Sequence, residues 1–246
     1  MVNNLKYISA HQAQFIPQLS FFAKIKTVDI YVCLDDLKYS RHSFQTRNKI
    51  KIDSNEGWTY LLVPVKKTPQ GTNFNELFID NNTNWRKKHL KSIQLSYSKA
   101  KFFDDIYPDI EKIYSKDYLY LKEIVIEFIK YGIEVFQIKT EFLLSSDLKK
   151  KGFYTKNKKS IYVLDLIKFL NGNKFLFGKN YWKYFTVEDK KKFEKSNVEY
   201  LLQEFEFKEY PQLHGSFVSG LSFIDLLFNI GKNDGAKFLL NPWRFR

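Results

Sequence analysis

Residues 6–36 read KYISAHQAQFIPQLSFFAKIKTVDIYVCLDD, and three signals within them point to a βαβ unit. KYISA is a short apolar strand. Pro17, whose ring sets φ near the helical value, prepares a helix through QLSFFAKIK. VDIYVCLDD is a second strand, with Val28, Ile30, Val32 and Leu34 on one face while Tyr31 and Cys33 keep the other apolar. Burial on both faces marks a central strand of a parallel sheet covered by helices, and the crossover joining two such strands is right-handed. The turn after the first strand, AHQAQFIP (residues 10–17), stands where a phosphate-gripping loop is expected, yet it contains no glycine.

The rest of the chain extends this pattern. Residues 43–80 alternate differently: NKIKI and WTYLLVPV, separated by DSNEG, argue for a β-hairpin inserted after the second strand. From about residue 84 to 131 the chain turns helical, with Leu90, Ile93, Tyr97 and Ala100 spaced along one buried face. A longer helix follows, with Leu121, Ile124, Val125, Phe128 and Ile129 inward and Gly132 as its stop. TEFLLS is a strand, SIYVLDLIKFLNG a helix closing on Gly172, NKFLFG a strand and YLLQEFEF another. TVED gives a short basic helix a Thr186 cap with Asp189 three residues on. SFID repeats that spacing at the last helix, which closes before Gly231, so a capping role accounts for Asp225. The tail FLLNPWRFR carries no signal either way. Strands alternating with helices define an α/β fold with a mostly parallel sheet, flanking helices and an inserted β-hairpin. A chain of 246 residues suits one such domain over 1–246.

Composition narrows the function classes. An apolar fraction of 44%, with 18% aromatic, describes a packed globule rather than a disordered chain. The lone Cys33 excludes an internal disulfide framework and fits a reducing compartment. MVNNLKYISAHQ has no apolar core of a signal peptide, so a cytoplasmic location is expected. The most apolar helix is interrupted by Lys122, Glu123, Glu127 and Lys130, so no membrane insertion is expected. The net charge of +13 comes mostly from dispersed lysines. It attracts polyanions weakly and suits a small anion, such as the diphosphate of a nucleotide sugar or of ATP, as well as it suits RNA. Zinc-finger and RRM signatures are absent, as are Walker A, GxGxxG and GxSxG motifs. His11, His42, His89 and His214 lack metal-ligand spacing, so no metal site is expected.

Ligands of open parallel sheets bind outside the carboxyl ends of the strands. His11 and Gln12 leave the first strand there, and Asp35 and Asp36 leave the second, so both pairs share one rim. The helix after Pro17 turns its free N–H groups toward the same crevice, where they can meet an anion without a glycine turn. Blander roles compete. An imidazole ending a strand can bond a neighbouring carbonyl, and either aspartate can make an Asx-turn. Arg41, His42, Gln45, Arg47, Asn48 and Lys49 follow the rim, as phosphate clamps or as a solvated strand face. Lys66 and Lys67 end a hairpin strand. Trp85 and His89 lie one turn apart on a helix, where the core reading is the stronger. EYPQLHGSF brings Tyr210, Gln212 and His214 into a loop.

In series, HQAQFIPQLSFFAKI, VCLDDLKYSRHSFQTRNKI, WTYLLVPVKK, NWRKKHLKSI, EYPQLHGSF and SFIDLLFNIG resemble the WbqC-like family over roughly residues 6–231. Departures from the family pattern fall at Ala13, Gln18, Ser20 and Phe44. The resemblance implies a place among gene clusters for O-antigen and other surface polysaccharides. It also implies a transferase forming an amide, by glycyl or other acyl transfer, on a nucleotide-linked amino sugar. Amide formation needs a base and oxyanion donors. His11, oriented by Asp35, is the candidate base, and Gln12 and helix N–H groups are the candidate donors. Arg47, Lys66 and Lys67 are the diphosphate contacts, with Phe15, Asp36, Arg41, Gln45, Asn48, Trp85, His89, Tyr210, Gln212 and His214 as further substrate contacts. The acyl donor is open between an ATP-activated amino acid and an aminoacyl-tRNA. A protein that binds a nucleotide sugar or RNA without chemistry is the alternative.

Overall fold

In the computed structural model of the chain, residues 6–178, 181, 185–239 and 244–245 are described. The opening βαβ unit forms as expected: β1 (Tyr7–Gln12), α1 (Leu19–Lys26) and β2 (Ile30–Leu34), with β1 and β2 parallel and His11 opposite Cys33. Pro17 lies outside the helix, one residue before the N-cap Gln18. β2 is buried on both faces. Ile30 and Val32 join one core cluster, and Tyr31 and Cys33 join another across the sheet.

Between β2 and the next strand of the sheet runs a long crossover. It carries an antiparallel hairpin, β3 (Arg47–Lys51) with β4 (Trp58–Leu62), then three helices, α2 (Trp85–Tyr97), α3 (Phe103–Ser115) and α4 (Leu121–Val135). β5 (Glu141–Leu144) then pairs parallel with β2. α5 (Ser145–Lys150) and α6 (Lys159–Phe169) follow, and β6 (Lys174–Gly178) returns to the free side of β1. α7 (Val187–Lys195), β7 (Glu199–Glu204), α8 (Phe223–Phe238) and β8 (Arg244–Phe245) complete the described elements.

The sheet order is β5-β2-β1-β6-β7-β8, parallel except for β8. The chain therefore winds outward from β1 through β2 to β5, then restarts on the other side with β6. The winding reverses between β1 and β6, and doubly wound sheets bind ligands in a crevice outside the carboxyl ends of the strands at such a switch point. α1, the hairpin, α2–α4 and α8 cover one face, and α5–α7 cover the other. No helix among the described residues is long and apolar enough to cross a membrane.

Local signals account for some element ends and not others. Thr186 caps α7 by accepting from Asp189 N at 3.2 Å, with Asp189 returning the bond, as the TVED spacing predicts. Gly132 is not the stop of α4, which runs on to Val135. Its role is close approach: a Cβ there would stand 2.2 Å from Cζ of Phe22 on α1. At Gly231 the last helix does break, with φ 79° and ψ 175°, but a second helical stretch continues to Phe238. The Phe102 ring fills the space a Cβ of Gly231 would need, at 2.9 Å. Residues 240–243 and 246 of the C-terminal tail lie outside the described residues.

Candidate functional site

The β1–α1 loop turns without glycine by placing Ile16 at φ 35°. A β-branched residue at positive φ is a true outlier, costing about 1–3 kcal/mol, and persists only where its surroundings over-determine it. They do so here. Asn48 Nδ2 donates to the carbonyls of Phe15 (3.2 Å) and Ile16 (3.0 Å). Phe15 N donates to Phe44 O, and Pro17 O accepts from Phe223 N, each at 2.8 Å. Gln18 Nε2 donates to Gly220 O at 2.7 Å. The Phe15 ring is fully buried against Phe128 and His89. The hairpin and the start of α8 thus hold the loop from outside, so Phe15 and Asn48 shape the site rather than line it.

His11 lies half-buried at the end of β1, its ring edge-on to Phe21 of α1. Its Nδ1 is 2.9 Å from Gln12 O. A carbonyl only accepts, so the proton is on Nδ1 and the lone pair on Nε2. Burial, and then the charge of Lys24, lower the pKa of His11 to about 4, against the opposing effect of the Gln12 bond. The ring is therefore neutral at pH 7 with one nitrogen open as an acceptor.

Lys24 escaped the sequence reading. It projects from α1 and is only 4% exposed, and its Nζ donates to Ala10 O at 3.1 Å. Burial lowers its pKa to about 7. Its surroundings include Gly178 at the end of β6, where a Cβ would stand 3.7 Å from Nζ. The signal was present: Leu19, Phe21, Phe22, Ala23 and Ile25 are buried, so LSFFAKI is apolar nearly all round, and a lysine within it has no solvated face.

Asp35 and Asp36 share the rim with His11, as the strand register requires. Their bonds lead elsewhere. Asp35 is fully buried and accepts from Ser146 N (2.9 Å) and Ser146 Oγ (2.7 Å), capping α5 from the neighbouring strand. Asp36 accepts from Ser145 Oγ and pairs with Lys149, each at 2.5 Å. The orienting role expected of Asp35 toward His11 falls instead to the Gln12 carbonyl, because the serines of α5 saturate the carboxylate first.

The other expected contacts scatter. His89 is buried between Tyr114 OH and Leu62 O, each 3.0 Å from a ring nitrogen, and burial lowers its pKa to about 4. Trp85 packs against it. Gln45 is buried and accepts from Ser40 N at 2.9 Å. These three belong to the core and to a turn; the ring nitrogens of His89 and Trp85 are bonded to protein, whereas Gln45 bonds through its Oε1 and its buried Nε2 has no partner. Arg41, Lys66 and Lys67 are exposed, with Arg41 beside the 68–72 loop and Lys66 near the Phe78 ring. Arg47 lies on the hairpin's outer face, 4.2 Å from the Tyr60 ring centroid, and donates to His42 O.

Tyr210 and Gln212 converge on a residue that capping alone does not explain. Asp225 is fully buried and accepts from Tyr97 OH (2.8 Å), Tyr210 OH (2.7 Å) and Gln212 Nε2 (3.0 Å). The N-cap Ser222 makes no side-chain cap bond. Burial raises the Asp225 pKa, opposed by these bonds and by nearby Lys51, whose ammonium donates to Ser216 O. His214 Nε2 reaches Ser96 O at 2.7 Å. This network fastens the 210–218 loop to the hairpin and α2. Among the described residues, no three His, Cys, Asp or Glu side chains gather as a metal site.

A doubly wound sheet with a glycine-free first turn and a histidine at its switch point is the setting in which the comparisons fall. The model of the WbqC-like protein family matches residues 12–237, and the chain belongs to that family. A protein of Mycobacterium tuberculosis (strain ATCC 25618 / H37Rv), named as uncharacterized protein Rv1507c, is 25% identical over 230 residues, covering 92% of this chain and 95% of its own. No solved structure matches the chain.

Proposed function

We propose that this protein is a transferase that forms an amide on a nucleotide-linked amino sugar, by glycyl or another acyl transfer, in the making of O-antigen or capsule. The reading rests on one observation above all. At the switch point a neutral imidazole, locked by the Gln12 carbonyl, keeps its Nε2 lone pair available. In such a reaction the sugar amine attacks the acyl carbonyl and the C–N bond forms. Nε2 of His11 takes the amine proton, and the acyl–oxygen bond to the leaving group breaks as that proton is passed on to it. Gln12, half-buried at the end of β1, is the side chain nearest in sequence to donate to the developing oxyanion. The donor is an amino acid activated by ATP or one esterified to tRNA.

The test is direct. Purified protein incubated with a UDP- or dTDP-amino sugar, glycine and ATP, or with glycyl-tRNA, gives a sugar product heavier by one glycyl residue. His11→Ala loses turnover and still binds nucleotide. Full turnover in His11→Ala removes His11 from the role of base.

A second reading draws on the hairpin. Its outer face interleaves cations with rings: Arg47 over Tyr60 at 4.2 Å and Lys49 over Trp58 at 3.6 Å. Faces of this kind bind single-stranded RNA by stacking and charge. A salt-sensitive RNA shift without any sugar product favours this reading.

A further inference from the structure

We infer that Lys24 is the anion anchor of the β1–β6 crevice, taking the phosphoryl oxygens of a nucleoside diphosphate on its buried ammonium. The assignment depends on the reading above for where the substrate lies, and not for what is done to it.

The argument begins with cost. A buried ammonium is stable only when its charge is paired and its three N–H groups are bonded. Lys24 makes one hydrogen bond, to Ala10 O, and among the described residues it has no acidic partner. Two other lysines show what a structural role looks like. Lys51 is equally buried but has Asp225 in its field and Ser216 O as acceptor. Lys26, two residues along α1, reaches the carbonyls of Phe136 and Ala236 at the far end of the helix, at 3.1 and 3.5 Å. At position 24 a methionine would fill the same space without a charge to desolvate. The lysine therefore answers a requirement that the folded chain does not itself contain.

Position says what that requirement is. Side chains on a helix lean toward its N-terminus, so Lys24 runs back toward the first turn of α1 and the carboxyl end of β1. Its ammonium meets Ala10 O there, close to Gly178 at the end of β6, where a Cβ would stand 3.7 Å from Nζ. The first turn of α1 holds no acidic residue, and its N-cap Gln18 makes no side-chain cap bond. The aspartates of the rim are held at β2 and β5 by Ser145, Ser146 and Lys149. A cation that makes one hydrogen bond and has no acidic ion-pair partner among the described residues, beside a neutral histidine, fits an anion with several oxygens and more than one charge.

Titration calorimetry of the full chain with inorganic diphosphate, UDP, ATP and acetate tests this. Wild-type protein binds diphosphate and UDP, and Lys24→Met weakens both by about tenfold or more. Lys24→Arg, which keeps the charge, retains part of the affinity. A UDP preference over ATP assigns the phosphates to the sugar nucleotide, and the reverse assigns them to the acyl-activating nucleotide. Without ligand, Lys24→Met melts at the wild-type temperature or above it, and diphosphate raises the melting point of wild type alone. Should Lys24→Met not fold, Lys24→Gln, which keeps a donor for Ala10 O, replaces it. Unchanged diphosphate affinity in the charge-free variant, no diphosphate binding by wild type, or acetate binding as well as diphosphate overturns the assignment. Lys24-dependent binding without transfer to any sugar leaves it standing and sinks the transferase reading instead.

Discussion

Along the β2–β5 half of the carboxyl rim, Asp35 and Asp36 are closed on Ser145, Ser146 and Lys149. Along the β1–β6 half, His11 keeps an open acceptor nitrogen, and Lys24 spends one N–H on Ala10 O. Both halves bury ionisable groups at the ends of parallel strands, only a few residues apart. A buried polar group whose bonding is complete within the chain gives stability and a defined geometry. One whose bonding is incomplete is held at a cost, and sites that bind or react are where such costs are kept.

The contrast has measurable consequences. The largest is expected at the open half: His11→Ala lowers sugar-amide turnover by about 10²–10⁴-fold while the denaturation midpoint hardly moves. An equal loss of stability and turnover would place His11 with the closed groups. At the closed half the order reverses. Asp35→Ala strips α5 of its cross-strand cap and is expected to cost about 3 kcal/mol in urea unfolding, with diphosphate binding retained.

Close packing comes next. Gly132→Ala pushes a methyl into Phe22 and is expected to cost about 2 kcal/mol, read by the same unfolding curves. Without the Phe22 contact, alanine at this position inside α4 would instead stabilise by about 1 kcal/mol through helix propensity.

The pH dependence of stability separates the halves more finely. The pKa of Lys24 falls from 10.5 to about 7 on folding. Between these values the unfolded chain holds a proton that the folded chain lacks, so stability rises with pH across that window. Below about pH 7 the full penalty applies. Lys24→Met flattens this rise, as thermal melts between pH 7 and 10 would record. His89, lowered from 6.5 to about 4, acts in the acid range. Its neutral form is bonded in the fold, so its contribution is complete above pH 6.5 and is lost as pH falls through about 4. His89→Leu removes that part of the acid slope. The smallest effect belongs to Lys66→Ala and Lys67→Ala. Both are exposed, and each variant is expected within about 0.5 kcal/mol of wild type, with UDP affinity unchanged.

How much of this was legible beforehand differs residue by residue. The placement of β2 inside the sheet, covered on both faces, followed from Ile30 and Val32 alternating with Tyr31 and Cys33. The α7 cap followed from a Thr–Asp spacing of three, because a cap closes within one turn of chain. The same spacing at Ser222 and Asp225 misled, since Tyr97 lies 128 residues from the carboxylate it bonds. Gly132 misled in the same way. A glycine near a helix end looks like a terminator until Phe22, from a helix more than a hundred residues earlier, is found against it.

Composition, periodicity and local caps were enough to establish a parallel α/β sheet, its opening βαβ unit, the hairpin insertion and the rim carrying His11. These are properties of neighbouring residues, and a strand or a helical turn declares its buried face through its own spacing. Which aspartate is saturated, which lysine is left unpaired and why Ile16 can turn without glycine depended on residues brought together from distant parts of the chain. A buried polar group takes its role from the partners it finds, and those partners are chosen by packing that no local pattern encodes.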